Sequence, residues 1–540
     1  MKMSSFKSFE NQMLKDRFLG FLIWESIFSS AIFVISKTIF LSPFTQNPFS
    51  PSFLTIISFL AFHLSLLIFS TSLHTISSPC FDRPASIAEL AFALGRFVFN
   101  SVVGGASPSC SDAGARRRLR TLLGFVVFVV SAVVAGALGV LSLCRNVELG
   151  LRGLLFGLIY GGYYVYKQRW VLKFPIVQRP AFFSFKMGLP SAIGQALLMS
   201  TVAFLCSSAL VVFLPVQFKS HSTKWKSIVD QVIFYVGSFT VCLCWELCHY
   251  LHQVTQTKSC IFAPPKGSAA AESNPSKSLF EALETSDPRS LLKYLAYFDL
   301  CIVCDSNVDT WRRDAFFEET GVTYKRVIKA CLRPLEELTS KLSVSLEDFS
   351  AKKTDQLANQ LRSPSDTLMD LTLHEPFNEL QLCAWCVRSA GALTAHSHKD
   401  DAFGVAQLSG CNADVVSTLL SCLLAIEACL GKKTNLQAPH STGAANIKWA
   451  TSSTGRRDAG DASVAASKRR RGPLHAKAYA MADILRTSIY NIVSEFRDEM
   501  LVSNVARNLD KDWIPSGKPL HGSCQLLLQR LVLFLDDQAN

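Results

Sequence analysis

The chain is 540 residues long, 49% hydrophobic and 18% charged, with a formal net charge of +12 and a mean hydropathy of +0.25. That apolarity excludes a wholly water-soluble protein. Because the apolar runs crowd into residues 18–251 and much of the basic excess sits in the short loops between them, the charge reports membrane topology rather than a specific nucleic-acid partner. Seventeen cysteines without regular spacing, several inside apolar runs, exclude a disulfide framework and predict mostly reduced, buried thiols.

Residues 1–17, with Lys2, Lys7, Lys15 and Arg17, read as a basic arm on the membrane surface. The first span is predicted over Phe18 to Leu41. It is too long for a signal-peptide core and lacks a small-residue cleavage site, so it stays as a signal anchor. Glu25 and Lys37 lie inside it, the lysine near enough to an end to snorkel. Ser42 to Ser52 is a proline-rich turn without a basic residue, expected in the lumen, and Phe53 to about Leu73 returns with His63. In the cytoplasmic loop that follows, Ile87 to Asn100 is amphipathic and too charged to span, so it is expected at the interface.

Thr121 to Cys144 carries no charged side chain and is framed by Arg116, Arg117, Arg118 and Arg120 before it and Arg145 after it. A bilayer core takes about 20 apolar residues as helix, and lipid leaves the backbone no other way to satisfy its polar groups. The preceding arginines hold that end in the cytoplasm. Leu149 to Tyr166 is a fourth span, thinned by glycine and by Arg152. Gly153, Gly157 and Gly161 fall four apart, the small-xxx-small face of closely packed membrane helices, and Ser131, Ala135 and Gly139 offer a matching face. The next loop holds Lys167, Arg169, Lys173, Arg179 and Lys186, which assigns it to the cytoplasm with Trp170 and phenylalanines at headgroup depth. A fifth span runs from Pro190 to Leu214 and a sixth from Ile228 to about Leu251, with Asp230 and Glu246 near its ends.

Beyond residue 251 the composition changes. Residues 252–288 read as a linker, 289–431 as a helical soluble domain, 432–473 as a disordered basic insert, and 474–540 as the remaining helices of that domain. Leu474 to Leu501, where Ala478, Met481, Leu485, Ile489, Ile492, Phe496 and Met500 recur at three and four, is the clearest helix. The expected fold is therefore all-α: a polytopic membrane protein with six transmembrane helices followed by a soluble α-helical C-terminal domain.

Chemistry-bearing patterns are weak. Cys383, Cys386, His396 and His398 have the residue types of a zinc site, but the cysteines sit on an apolar helix and no short loop brings the histidines into a knuckle. Cys301 and Cys304 make a C-x-x-C without the βαβ setting of a redox motif. Glu25, His63, Asp230 and Glu246 are intramembrane ionisable groups of the sort that line transport paths, though most lie near span ends. No catalytic, cofactor or metal set is assigned. Arg456 and Arg457 with Lys468, Arg469, Arg470 and Arg471 make a two-cluster basic pattern similar to a bipartite nuclear-import signal, with a solvated loop as its plainer reading.

Three stretches carry a family resemblance: LLKYLAYFDLCIVC with WRRDAFFEE and IKACLRPL (Leu291 to Leu335), KDDAFGVAQL (Lys399 to Leu408) and DILRTSIYNIVSEF (Asp483 to Phe496). With the six-span layout, these resemble the nuclear division cycle (Ndc-type) transmembrane nucleoporins. Ala402, where the family pattern suggests a basic residue, and the long basic insert depart from it. The resemblance implies a non-enzymatic anchor of the nuclear pore complex in the pore membrane, serving pore assembly and nucleocytoplasmic transport. Its partners would be the lipid bilayer, soluble scaffold nucleoporins and other pore membrane proteins, with both termini on the cytoplasmic or nucleoplasmic side. Asp400, Asp401, Phe403, Gly404, Arg486 and Tyr490 are the candidate partner-binding or structural residues, the two aspartates as caps of the following helix. A polytopic endomembrane transporter or enzyme is the competing reading.

Overall fold

The computed structural model describes residues 2–41, 43, 53–81, 84, 112–175, 179–213, 224–287, 289–307, 310–356, 376–431, 473–505, 508–515 and 517–537. Among them there is no strand, only an isolated bridge between Ser78 and Val171. The chain divides into two compact units, Met1–Ser259 with Arg289–Leu292, and Cys260–Pro288 with Lys293–Asn540. The amphipathic stretch expected at 87–100 and the basic insert, with Arg456, Arg457 and Lys468 to Arg471, lie outside the described residues.

The first unit is a helix bundle: α1 (Lys2–Ile35), α2 (Phe53–Ile76), α3 (Asp112–Cys144), α4 (Val147–Tyr166), α5 (Ala181–Phe213) and α6 (Lys224–Gln256). The basic arm is not a separate segment, because α1 runs through it without a break and closes in a π-helical turn, Ser36–Phe40. Pro190 does not open a helix but lies inside α5. Among the described residues six helices are long and apolar enough to cross a membrane: Asn11–Phe40, Phe53–Ile76, Arg116–Cys144, Ala181–Ala209, Ile228–Gln256 and Cys411–Cys429. The first five coincide with expected spans. Helix α4, which carries Glu148, Arg152 and four tyrosines, is not in that group, although it forms a full helix packed on α3. Its place is taken by Cys411–Cys429, of whose apolar window 78% is buried, against 22 to 50% for the other five.

In the bundle the large apolar side chains face outward as well as inward. Trp24, Ile27, Val126, Val127 and Leu205 are exposed, as suits lipid. Inside, Trp245 stacks between Phe69, at 4.5 Å, and Phe156, at 5.0 Å. The α3–α4 hairpin turns through two residues. Arg145 adopts the left-handed region at φ +52° and Asn146 caps α4 by accepting from the Glu148 N–H. The two helices then meet backbone to backbone. A Cβ on Gly157 would stand 2.3 Å from the Ala132 carbonyl oxygen, one on Gly153 2.6 Å from that of Gly136, and one on Gly161 3.3 Å from Val129 Cα. The α3 face is thus Val129, Ala132 and Gly136, one residue along from the expected Ser131, Ala135 and Gly139. That neighbouring face is used elsewhere: the Ala135 carbonyl accepts from Ser65, and Gly139 lies against Ser65 and Val241.

The second unit contains α7 (Leu291–Asp305), α8 (Val322–Gln356), α9 (Leu380–Asp400), α10 (Cys411–Cys429), α11 (Pro473–Glu495) and α12 (Cys524–Asp537), with shorter helices between. The expected 474–501 helix is broken at Phe496, after which Arg497–Val505 forms a separate helix. The stretch expected as a linker carries helices Ala269–Ser273 and Lys277–Thr285. Its Phe262 is buried, the backbone N–H donating to Asp299 at 2.9 Å. Helix α10 is the axis of the unit: Val415, Leu419, Leu420, Leu423 and Ile426 are fully or almost fully enclosed. This enclosure, rather than lipid, accounts for its apolarity.

Candidate functional site

The stretches that carry the family resemblance converge in the second unit. Arg312 and Arg313 occupy the short helix Thr310–Asp314, both buried. Arg312 makes a bidentate pair with Asp299 at 3.1 and 2.6 Å, and Asp299 also receives the Phe262 N–H. Arg313 Nε donates to Asp400 at 2.8 Å, and its Nη1 to the Ser306 carbonyl and to Asn307. Two guanidiniums on one turn therefore tie α7, the end of α9 and the segment before α7 together. Each charge is met inside the protein, which is the condition for burying it.

The two aspartates expected as caps divide the work. Asp400 is the last residue of α9 and holds Arg313, so it caps nothing. Asp401 Oδ2 accepts from the Ala406 N–H at 2.8 Å and Oδ1 from Phe403 N–H at 3.3 Å, which secures the start of the short helix Val405–Leu408. Gly404 precedes that helix at φ +64°, the left-handed region that a side chain makes costly. Phe403 and Leu408 are left exposed, at 53 and 86%. The loop is fastened to the end of α11 and the helix after it. Lys399 pairs with Glu495 at 2.8 Å, His398 lies 3.5 Å from Glu499, and Gln407 donates to Glu499 at 2.8 Å. Val502 on that following helix is exposed.

Arg486 is an internal tie: it donates to Glu427 at 2.7 Å and to Asp483 at 3.1 Å. Glu427, near the end of α10 and buried, also receives Arg530 of α12 at 2.8 and 2.9 Å. One carboxylate thus joins α10, α11 and α12. Tyr490, on α11, is about half exposed. The candidate set separates into Asp400, Asp401, Gly404 and Arg486, which shape the surface, and Phe403 and Tyr490, which stand on it.

The thiols have the electrostatics of core residues. Burial pushes Cys301 up to about 11 and Cys304 well above its ordinary value, so neither is a thiolate nucleophile. Burial likewise raises Cys383 and Cys386, while His396 is lowered by burial and by the Arg313 charge. Among the described residues no group of three or more His, Cys, Asp or Glu side chains is placed to share a metal ion.

In the membrane unit several intramembrane ionisable groups are bonded within the bundle. Glu25 accepts from Ser70 and Cys248, and His63 is bonded to Ser29 and Ser30. Lys37, expected to snorkel, donates instead to the Leu143 carbonyl at 2.7 Å, an acceptor left open in the last turn of α3. Glu246 is fully buried and takes a bidentate pair from Arg169 at 2.6 Å, with Tyr160 donating at 3.0 Å. The sequence pattern assigned Arg169 to a cytoplasmic loop. The signal that pointed inward was the intramembrane glutamate, which needs a cation. Trp170, expected at headgroup depth, is also buried, packed on Phe125 and Phe81.

Residues 145–379 match a family model described as nucleoporin protein Ndc1-Nup. The match runs from the α3–α4 turn to the start of α9, taking in three helices of the bundle and the Asp299–Arg312 pair, and stops before Lys399–Leu408 and Asp483–Phe496. No curated protein matches the chain.

Proposed function

We propose that this chain, whose residues 145–379 match the nucleoporin Ndc1-Nup family model, is a transmembrane nucleoporin of that type, which anchors the nuclear pore complex in the pore membrane and supports its assembly. The anchor is the first unit, crossing the bilayer six times through α1 to α6. Helix α4 crosses because its glycine face is held against α3 over its length, and α10 does not because its own unit encloses it. Both termini, with the loops around Arg117 and Lys173, face the cytoplasm or nucleoplasm. The positive-inside bias supports this: six arginines precede and lead into α3, while the first lumenal turn has no basic residue.

The second unit is the platform for soluble scaffold nucleoporins, and the family match carries this reading. Phe403, Leu408 and Val502 stand exposed beside a loop fastened by Lys399, His398 and Gln407. Apolar side chains presented on a braced surface are what a protein partner uses for anchorage. The role is structural rather than enzymatic. The basic clusters at Arg456–Arg457 and Lys468–Arg471 are the candidate import signal of this reading.

A fluorescently tagged chain tests the reading. Punctate nuclear-rim signal with co-purified scaffold nucleoporins is the expected result, and uniform reticulum or plasma-membrane signal overturns it. A glycosylation acceptor at Gln46 is expected to be modified and one appended after Asn540 is not. The reverse pattern overturns the six-span topology alone.

A further inference from the structure

We propose that the groove lined by Arg179, Pro180, Phe183, Lys186 and Met187, where the chain enters α5, seats the headgroup of an anionic phospholipid. The groove has a volume of about 560 Å³ and opens to the surface, within the range of ordinary small-molecule sites. Its depth follows from the helix length. Helix α5, Ala181–Phe213, is 33 residues, whereas about 20 residues span the hydrocarbon core. The excess leaves room for the first two turns, which carry Lys186 and follow Arg179, to lie among the headgroups. Packing agrees: Gly188 lies against the ring of Tyr250, and Tyr250 donates to Ser191 at 2.8 Å. These residues set the groove at the same end of the bundle as Arg169 and as Arg17, which donates to the Thr255 and Gln256 carbonyls.

The groove's chemistry selects the occupant. Arg179 and Lys186 are exposed, and neither has a carboxylate partner among the described residues; Arg179 only touches the Met187 sulfur. Two cations at headgroup depth with no carboxylate partner among the described residues call for a phosphate-bearing anion. The apolar flank calls for a lipid rather than a free ion: Phe182, Phe183 and Met187 are 69, 55 and 64% exposed, and at the interface they bury into the acyl boundary. The first-turn N–H groups of α5, with no acidic residue beside them, add partial positive charge on the same side. The inference rests on the membrane reading of the first unit but not on attachment to the pore.

The test uses full-length protein in nanodiscs of phosphatidylcholine with one fifth phosphatidylserine, reading bound lipid by native mass spectrometry. Enrichment of phosphatidylserine over bulk is expected for the wild-type chain. Each neutralisation, Arg179→Gln or Lys186→Gln, lowers it by about fivefold, and the double variant by roughly 30-fold, from ~1 kcal/mol per basic residue near an anionic surface. The charge-conserving pair Arg179→Lys with Lys186→Arg retains it, which separates lost charge from lost folding. Three outcomes overturn the proposal: no enrichment in the wild type, an equal loss in Lys167→Gln with Lys173→Gln, or displacement by millimolar inorganic phosphate, which would mark a free-anion site. Nuclear-rim localisation is scored separately in the same variants, so failure of the pore reading leaves the lipid result standing and the converse.

Discussion

The two units solve the same problem, holding long helices together, by different means. In the membrane bundle the closest approach is backbone on backbone: Gly153 and Gly157 of α4 lie on Gly136 and Ala132 of α3. Lipid tails are as apolar as the side chains, so area burial gives no drive to associate, and fit and a few polar bonds decide. In the C-terminal unit the reverse holds. Helix α10 is enclosed by apolar side chains, and the edges are pinned by charged pairs with at least one buried partner, Asp299–Arg312, Asp400–Arg313 and Glu427 with Arg486 and Arg530. Water makes the apolar core worthwhile there, and the ion pairs fix which helix meets which. The difference teaches that an apolar 19-residue helix, Cys411–Cys429, is not by that fact a span, and that α4, poorer in apolar residues, suits a place in the bundle.

Substitutions sharpen or break this comparison. The largest effect is expected from Asp299→Ala, which leaves Arg312 buried without a counter-charge and the Phe262 N–H without an acceptor. A loss of roughly 3–5 kcal/mol is expected, read as faster hydrogen exchange in 291–305 of the full-length protein. Replacing the pair by Asp299→Leu with Arg312→Met should cost less; if it costs as much, charge burial is not what matters there. In the bundle, Gly157→Val pushes a branched side chain into the Ala132 carbonyl and should cost about 1–3 kcal/mol, seen as an earlier melt when a thiol-reactive dye reports exposure of Cys244. Gly162, five residues on and with nothing near its absent Cβ, is the control. Gly162→Ala should be neutral or stabilising by up to ~1 kcal/mol. Equal losses at both positions would end the claim that α3–α4 contact is specific.

Effects below that of Asp299→Ala separate the two aspartates. Asp401→Ala removes the acceptor for Ala406 and Phe403 and should cost about 1 kcal/mol. Asp400→Ala should cost somewhat more, about 1.5–3 kcal/mol, because Arg313 loses a charged hydrogen bond. If nucleoporin capture falls with Asp401→Ala while hydrogen exchange is unchanged, the aspartate is a contact and not a cap. The smallest effect is on pH. His396 and His521 are lowered from 6.5 by burial, so each binds its proton more readily when unfolded. Stability of the C-terminal unit is then full above about pH 6.5 and falls as pH drops through that value. Melts at pH 7.5 and 5.5 check this, and His396→Asn should flatten the difference.

Part of this arrangement was legible in the residues and part was not. Apolar runs of span length, the charge bias between loops and the 3.6-residue stripe after Leu474 follow from local periodicity and composition, and they determined the helices, the two kinds of polypeptide and the Gly153–Gly157–Gly161 face. Only tertiary structure decided which side of α3 that face meets, since Ser131 and Ala132 differ by one step around the helix and both offer small residues. It decided that Lys37 reaches a carbonyl rather than water, that Arg169 turns inward to Glu246, and that Arg312, Arg313 and Arg486 are ties rather than exposed handles. The physical reason is shared. A charged side chain has a strong need for a partner, but the partner's sequence position is set by how helices cross, 77 residues away for Glu246 and 87 for Asp400, and no local pattern carries that distance.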